Sequence, residues 1–338
     1  MRNRWRPGPT AGGRRGLLAA GRRGLLAVTL MACASLACAA YPDKPVRIVV
    51  PWAAGGATDQ IARVLSQPLA QALGVPVVVE NKGGAGGLVG TQAFVKEKPD
   101  GYTLLMATSS TNAAAPYLYT RLGFDPVADF TPVGAICFIP NVMVVPAKSP
   151  WKSLQDIVAA ARKAPGQYTY GSAGVGGSQH LAGAQFNTAA KLDIRHIPYK
   201  GSGPAAQDLM AGHIDMMIDT GSLGSIRGGL LRAIAVASEH RIAALPEVPT
   251  FKEAGVPMIA SAWYGIMLPA KTPPEIAARL NAEFNKLLKN PQMQAHFTEM
   301  GAEIMTTTPQ QFARFSVAEL KRYQGIVRDS GAQKEEGP

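Results

Sequence analysis

A chain of 338 residues, 47% of them hydrophobic, is long enough for two domains around a sizeable core. Its formal charge of +11 invites a nucleic-acid partner, but residues 1–40 hold seven arginines and no acid, which leaves only +4 for the rest and removes that reading. Three cysteines argue against a disulfide scaffold, and five scattered histidines without H-x-x-x-H or Cys/His spacing argue against a metal site.

Taken from the start, residues 1–40 read as an export signal. An arginine-rich stretch precedes an apolar run over 25–40, and the small residues Ala37, Ala39 and Ala40 suit cleavage near Tyr41. GRRGLLA occurs twice, from Gly13 and from Gly21, and its twin arginines admit Tat export, with Sec the preferred route. Leu30-Met31-Ala32-Cys33 resembles a lipoprotein box, but the small-residue site downstream is preferred. The mature protein is therefore expected in the periplasm. With Cys33 and Cys38 in the signal, Cys137 is its one thiol, set in the apolar run GAICFI and expected to be buried and inert.

The organising stretch is VRIVVPWAAGGATD, residues 46–59. Its start has the composition of a buried strand, Pro51 stops the ladder, and Gly55-Gly56 permits a tight turn. Ile61, Val64, Leu65, Leu69, Ala72 and Leu73 then form one helical stripe. A strand passing through a glycine turn into a helix N-terminus leaves convergent N–H groups, which with the helix dipole favour an anion. Strands are expected next at 75–80 and 102–107, separated by the glycine-rich NKGGAGGLVG and a short helix over 88–96. Thr108-Ser109-Ser110-Thr111-Asn112 follows the third strand. Two further apolar runs over 133–145 break at Pro140-Asn141.

Ser153 with Asp156 caps the next predicted helix. A strand over 168–170 leads into GSAGVGGSQH, which repeats the strand–glycine–helix device, and a helix runs over 180–190. Strands at 194–199, 214–219 and 231–237, a helix over 203–211, and a loop with a short helix over 246–254 complete this half. Residues 261–268 form the return strand. Thr272-Pro273-Pro274-Glu275 and Thr308-Pro309-Gln310-Gln311 start the last two predicted helices, and the tail after Gly331 is expected to fray. The alternation of strands and helices predicts mostly parallel sheets covered by helices.

Catalytic signatures are sparse. G-x-S-x-G is absent, GGAGGLVG is not G-x-G-x-x-G, and phosphate-loop spacing with its lysine is missing. What remains is a set of backbone-donor loops at strand ends, where open α/β sheets bind ligands. Few charged side chains accompany them, a pattern suited to an anion held by N–H groups and hydroxyls. Asp59 reads as a dipole partner in its helix's first turn. His180 either fixes its loop or meets the ligand. Asp219 either caps the following turn or meets an ammonium group. Trp52 and Trp263 are core residues or cleft walls, the wall being preferred for Trp52.

At these residues the chain resembles a known family. PWAAGGATDQIAR, NKGGAGGLVG with PDGYTLL, DFTPVG, YGSAGVGGSQHLAG, PYKGSGPAAQDLMAGHID, LRAIAVAS and LPEVPTFKEAG are similar to the Bug family, the extracytoplasmic solute receptors of tripartite tricarboxylate transporters. The resemblance implies a type II periplasmic-binding fold, a Venus flytrap of two α/β domains with two crossovers. Its domains would be residues 41–145 with 261–338, and residues 146–260. It implies binding without catalysis, no cofactor, a monomer, a small carboxylated ligand, and permease subunits in the membrane as partners. Ligand contacts carry over to Trp52, Ala53, Gly55 and Gly56, to Ser109, Ser110 and Thr111, to Gly174, Gly176, Gly177, Ser178 and His180, and to Asp219. Gly177 stands where relatives commonly have Ser or Thr, and Asn112 where they often have His. A sensory receptor docking on a membrane kinase is the alternative. A periplasmic hydrolase using Ser178 and His180 is the remote one.

Overall fold

The computed structural model describes residues 1–4, 6, 8, 41–332 and 334–337. The export signal expected over 1–40, with Cys33 and Cys38, lies almost wholly outside the described residues. Lys44–Pro338 forms one compact unit, and no helix among its described residues is long and apolar enough to cross a membrane.

That unit holds two sheets. Strand β1 (Val46–Val50) lies between β2 (Val77–Asn81) and β3 (Thr103–Thr108), parallel to both. Helix α1 (Ala57–Leu73) returns the chain from β1 to β2, burying Ile61, Ala62, Leu65, Leu69 and Leu73. Of the expected stripe, Val64 is half-buried and Ala72 exposed. After β2 come a glycine-rich turn and α2 (Leu88–Phe94), which leads to β3. A wide helical turn over Ser110–Ala114 and the short α3 (Ala115–Leu118) then carry the chain away from the sheet. The return strand β10 (Ser261–Pro269) pairs antiparallel with both β3 and β4 (Phe130–Pro140), completing the order β11-β4-β10-β3-β1-β2 with the two-residue β11 (Glu303–Ile304).

The second sheet, in the order β7-β6-β8-β5-β9, is built from β5 (Val142–Pro146), β6 (Thr169–Ser172), β7 (Arg195–Pro198), β8 (Met216–Asp219) and β9 (Leu231–Val236). Helices α4 (Leu154–Lys163), α5 (Ser178–Ala190) and α6 (Ser202–Ala211) link its strands, and the one-turn α7 (Leu223–Arg227) leads into β9. Val142 and Val144 of β5 point into one core cluster and Met143 and Val145 into another, so both faces are covered and the strand reads as an unbroken apolar run. The chain passes from the first sheet to the second at Asn141. Residues 142–145, expected at the end of the first lobe, are therefore a strand of the second. It returns at Ala260, whose carbonyl accepts the Asn141 N–H at 2.9 Å, so both crossings run side by side.

Local signals explain most element starts. Ser153 and Asp156 form a reciprocal capping box, as do Thr308 and Gln311 at the start of α10 (Pro309–Ser330). Thr272 does not cap α8 (Pro274–Leu288); its hydroxyl turns back to the Pro269 carbonyl, and Pro273 occupies the cap position. Asn290-Pro291 starts α9 (Pro291–Glu299), which the apolar pattern left unseen. Residues 250–255 form a turn rather than a helix, with the Phe251 N–H donating to Val236. The tail is pinned rather than frayed: Glu335 N–H donates to Leu118 O at 2.7 Å and Glu335 O accepts from Thr120 N–H at 3.0 Å. Cys137 is buried, and burial pushes its thiol well above the usual range. Trp263 is core, edge-on to Phe312 and Phe315.

Candidate functional site

The carboxyl ends of β1, β3, β6 and β8 open on one small cleft. From the first sheet's side come Trp52, Gly56, Ala57, Thr58, Thr108, Ser110, Ala262 and Tyr264. From the second come Ala173, Ser178, Gln179, Ser202 and Thr220. Neither Lys nor Arg is among these residues.

On the first side, Gly55 turns the chain with φ +95°, a conformation that only glycine adopts without strain. Its N–H donates to Asp59 Oδ2 at 3.0 Å, and the same carboxylate accepts from Arg63 at 2.9 Å and Asn81 at 3.0 Å. Burial pushes the Asp59 carboxyl up, but Arg63, the Gly55 N–H and Asn81 outweigh it and hold it below the usual range. Asn81 also donates to Trp52 O at 3.1 Å, so the turn is clamped from behind. Gly56 sits at the N-cap of α1 in extended geometry with no side-chain cap, and Ala57 and Thr58 of the first turn face the cleft. Trp52 is 6% exposed, and its indole N–H is buried without a protein acceptor.

On the second side, Gly174 (φ +125°) and Gly176 (φ +77°) fold the loop after β6, and Ser172 Oγ braces it by accepting from Gly174 N–H at 3.0 Å. Gly177 is the N-cap of α5, again without a side-chain cap, so Ser178 and Gln179 bring a second uncapped helix start to the cleft. His180 lies behind this loop. Its Nδ1 accepts the Gly176 N–H at 3.1 Å, and its ring stacks on His196 with centroids 4.1 Å apart. Burial depresses its pKa to about 4, so it is neutral at pH 7.

Asp219 is a hub. Its Oδ1 accepts from Gln179 Nε2 at 2.9 Å and Ser202 Oγ at 2.7 Å, and its Oδ2 from Gly221 N–H at 3.0 Å and Ser222 Oγ at 2.6 Å. These donors come from the starts of α5 and α6 and from the turn after β8. With four donors satisfied inside the protein, the carboxylate orients cleft residues rather than reaching a ligand's ammonium group.

The two lobes touch around the cleft through hydrogen bonds accepted by backbone carbonyls. Ala53 N–H donates to Lys200 O at 3.2 Å, Gln60 Nε2 bridges Gly55 O and Gly221 O at 3.1 Å each, and Tyr119 OH donates to Val175 O at 2.8 Å. Glycines allow this approach. A Cβ on Gly203 would lie 2.2 Å from Ala54 O, and one on Gly221 2.8 Å from Ala57 N.

Of the residues expected to bind, Trp52, Gly56, Ser110 and Ser178 line the cleft. The N–H groups of Ala53 and Gly55 are already engaged. Thr111 donates to Asn112 Oδ1 at 2.8 Å, and Asn112 reaches Met267 Sδ, so this pair turns toward the core. Ser109 is buried. Gly174, Gly176 and Gly177 shape the loop, and His180 and Asp219 stand behind the lining. Sequence reasoning missed Thr58, Thr108, Gln179, Ser202, Thr220 and Tyr264. Thr58 and Gln179 lie just beyond the predicted glycine turns, where the first helical turn also faces the cleft. Tyr264, bonded to Thr220 Oγ1 at 2.9 Å, sits mid-strand and carries no such signal.

Solved structures share this architecture. The periplasmic binding protein BugD is 32% identical with TM-score 0.83, over 87% of this chain and all of that one. A protein of R. palustris, Rpa4515 with adipate, is 32% identical with TM-score 0.84 over the same shares. MatC of Rhodopseudomonas palustris, with bound malate, is 31% identical with TM-score 0.80 over 85% of this chain and all of that one. The family model of the tripartite tricarboxylate transporter family receptor matches residues 61–332, from α1 through the end of α10. The family model spans well over half of the chain and these solved structures share its fold, so the chain belongs to the Bug receptors of the tripartite tricarboxylate transporter family.

Proposed function

We propose that this protein captures a small carboxylate between its two lobes in the periplasm and delivers it to the permease subunits of a tripartite transporter, without chemical turnover. The lobes are residues 44–141 with 261–337, and residues 142–260, closing about the paired crossings. One observation carries the reading. The uncapped N-termini of α1 and α5 open on the same cleft, among hydroxyls, with no cationic side chain in the lining. Convergent N–H groups and two helix dipoles suit a carboxylate. Because the donors come from both lobes, the ligand favours the closed arrangement over the open one. The adipate and malate held by the two R. palustris proteins are of this class. Turnover at Ser178 is disfavoured because His180 Nδ1, which a base would need free, is occupied by the Gly176 N–H.

A thermal-shift panel of mono-, di- and tricarboxylates is the direct test. A ligand at a hundred times its Kd stabilises the native state by about 2.7 kcal/mol and raises Tm accordingly. Gly56→Val is expected to abolish that shift while the unliganded Tm stays close to the parent's. Gly56 has φ −83° and ψ 172°, which valine tolerates, but its Cβ would lie 3.1 Å from Ser202 Cβ, inside the cleft. An unchanged ligand shift in that variant would show that the carboxylate sits elsewhere.

A further inference from the structure

We infer that the preferred solute is a hydroxy-substituted carboxylate whose hydroxyl donates to Ser202 Oγ. This rests on the carboxylate reading above and sharpens it. Ser202 lines the cleft, is 6% exposed, and approaches the first lobe closely enough to meet Gly56. Its single hydroxyl proton is spent. The bond to Asp219 Oδ1 is 2.7 Å, and Asp219 also receives two donors that cannot accept, Gln179 Nε2 and Gly221 N–H, so the carboxylate is the acceptor in this network. What Ser202 Oγ has left to offer is therefore a pair of lone pairs, beside the Asp219 carboxylate.

A carboxylate oxygen placed there meets lone pair against lone pair. A methylene leaves the acceptor unpaired once closure excludes water. A ligand O–H satisfies it, and a site built to bond a substrate hydroxyl rejects the analogue lacking one far more strongly than an apolar pocket rejects an extra methylene. The remaining lining is donor-rich: the first-turn N–H groups of α1 and α5, and the Thr220–Tyr264 hydroxyl pair, which spends one proton internally and keeps one for the ligand. Carboxylate and hydroxyl are thus read by different groups of the lining.

The test is calorimetric Kd measurement on three matched pairs differing by one hydroxyl: lactate and propionate, malate and succinate, citrate and tricarballylate. For the pair whose length fits, the hydroxy acid is expected to bind at least about tenfold more tightly. Ser202→Ala should reduce that ratio to within about threefold, mainly by weakening the hydroxy acid. Ser222→Ala, which removes another donor from Asp219 but lies outside the lining, should leave the ratio intact. Equal affinities in every pair, or a ratio that survives Ser202→Ala, would overturn the hydroxyl assignment while leaving the carboxylate reading standing. Failure of all six acids while another carboxylate of the thermal-shift panel binds would overturn this inference alone, and failure of every carboxylate would overturn the carboxylate reading with it.

Discussion

A Gly203→Ala variant is expected to fold at least as well as the parent and to bind its ligand about a hundredfold more weakly, a loss near 2.7 kcal/mol. The two effects have opposite signs because they act on different states. Gly203 lies in the first turn of α6 without a positive φ, where alanine is the better helix former by up to about 1 kcal/mol. In the arrangement described here, however, the added Cβ would sit 2.2 Å from Ala54 O and 3.3 Å from Gly55 Cα. Both are backbone atoms of the opposite lobe and cannot rotate aside, so the lobes must part by about an ångström to restore van der Waals contact. The nearby Ala53–Lys200 and Gln60–Gly221 bonds then stretch, at about 1 kcal/mol each. The ligand also loses donors from one wall. Unliganded Tm and calorimetric Kd measured side by side separate the terms. Gly224→Ala is the control, because its Cβ would meet nothing within 4 Å and should leave Kd unchanged. If Gly203→Ala bound as tightly as the parent, the interlobe glycine contact would not belong to the liganded state.

These contacts also show which parts of the site the chain discloses on reading. The turn at Gly55-Gly56 was legible because a strand, a proline and a glycine pair adjoin in sequence, and the helix start follows from them. Where each donor goes was not legible. Gly55 N–H is taken by Asp59 four residues on, and Ala53 N–H by Lys200 in the other lobe. Asp219 could be placed at the end of a strand, but its partners lie 40, 17, 2 and 3 residues away, and only the folded second sheet gathers them. Thr111 and Asn112 carry the polarity of a binding loop, yet the wide turn over Ser110–Ala114 rotates them inward. The α/β architecture was legible because apolar runs bounded by turn residues recur along the whole chain, but the sheets are mixed rather than mostly parallel, because β10 and β5 run antiparallel to both of their neighbours. The crossing at Asn141 was misplaced by a few residues because β4 and β5 are equally apolar and only Pro140-Asn141 separates them.

Acid is expected to weaken the fold between pH 6.5 and about 4, before most carboxylates titrate, through the His180–His196 pair. Burial depresses His180 to about 4. Burial, and then the neighbouring His180, depress His196 to about 3. In the unfolded chain both return to about 6.5. Folded values below unfolded ones mean that the unfolded state takes up protons first, so the stability is present above pH 6.5 and is lost as pH falls toward 4. At 1.36 kcal/mol per unit, His180 alone accounts for roughly 3 kcal/mol by pH 4, and stacked rings 4.1 Å apart cannot both carry charge cheaply. Urea unfolding at pH 7.5, 6.0 and 5.0 should show the decline, and His180→Gln with His196→Gln should flatten it. A parent whose stability is level over that range would refute the assignment. The site is expected to follow the fold. His180 Nδ1 is the acceptor for Gly176 N–H, so a proton there turns the acceptor into a donor facing a donor. The loop that presents Gly177 and Ser178 then loses its anchor, and ligand affinity should fall with acid even where the protein remains folded.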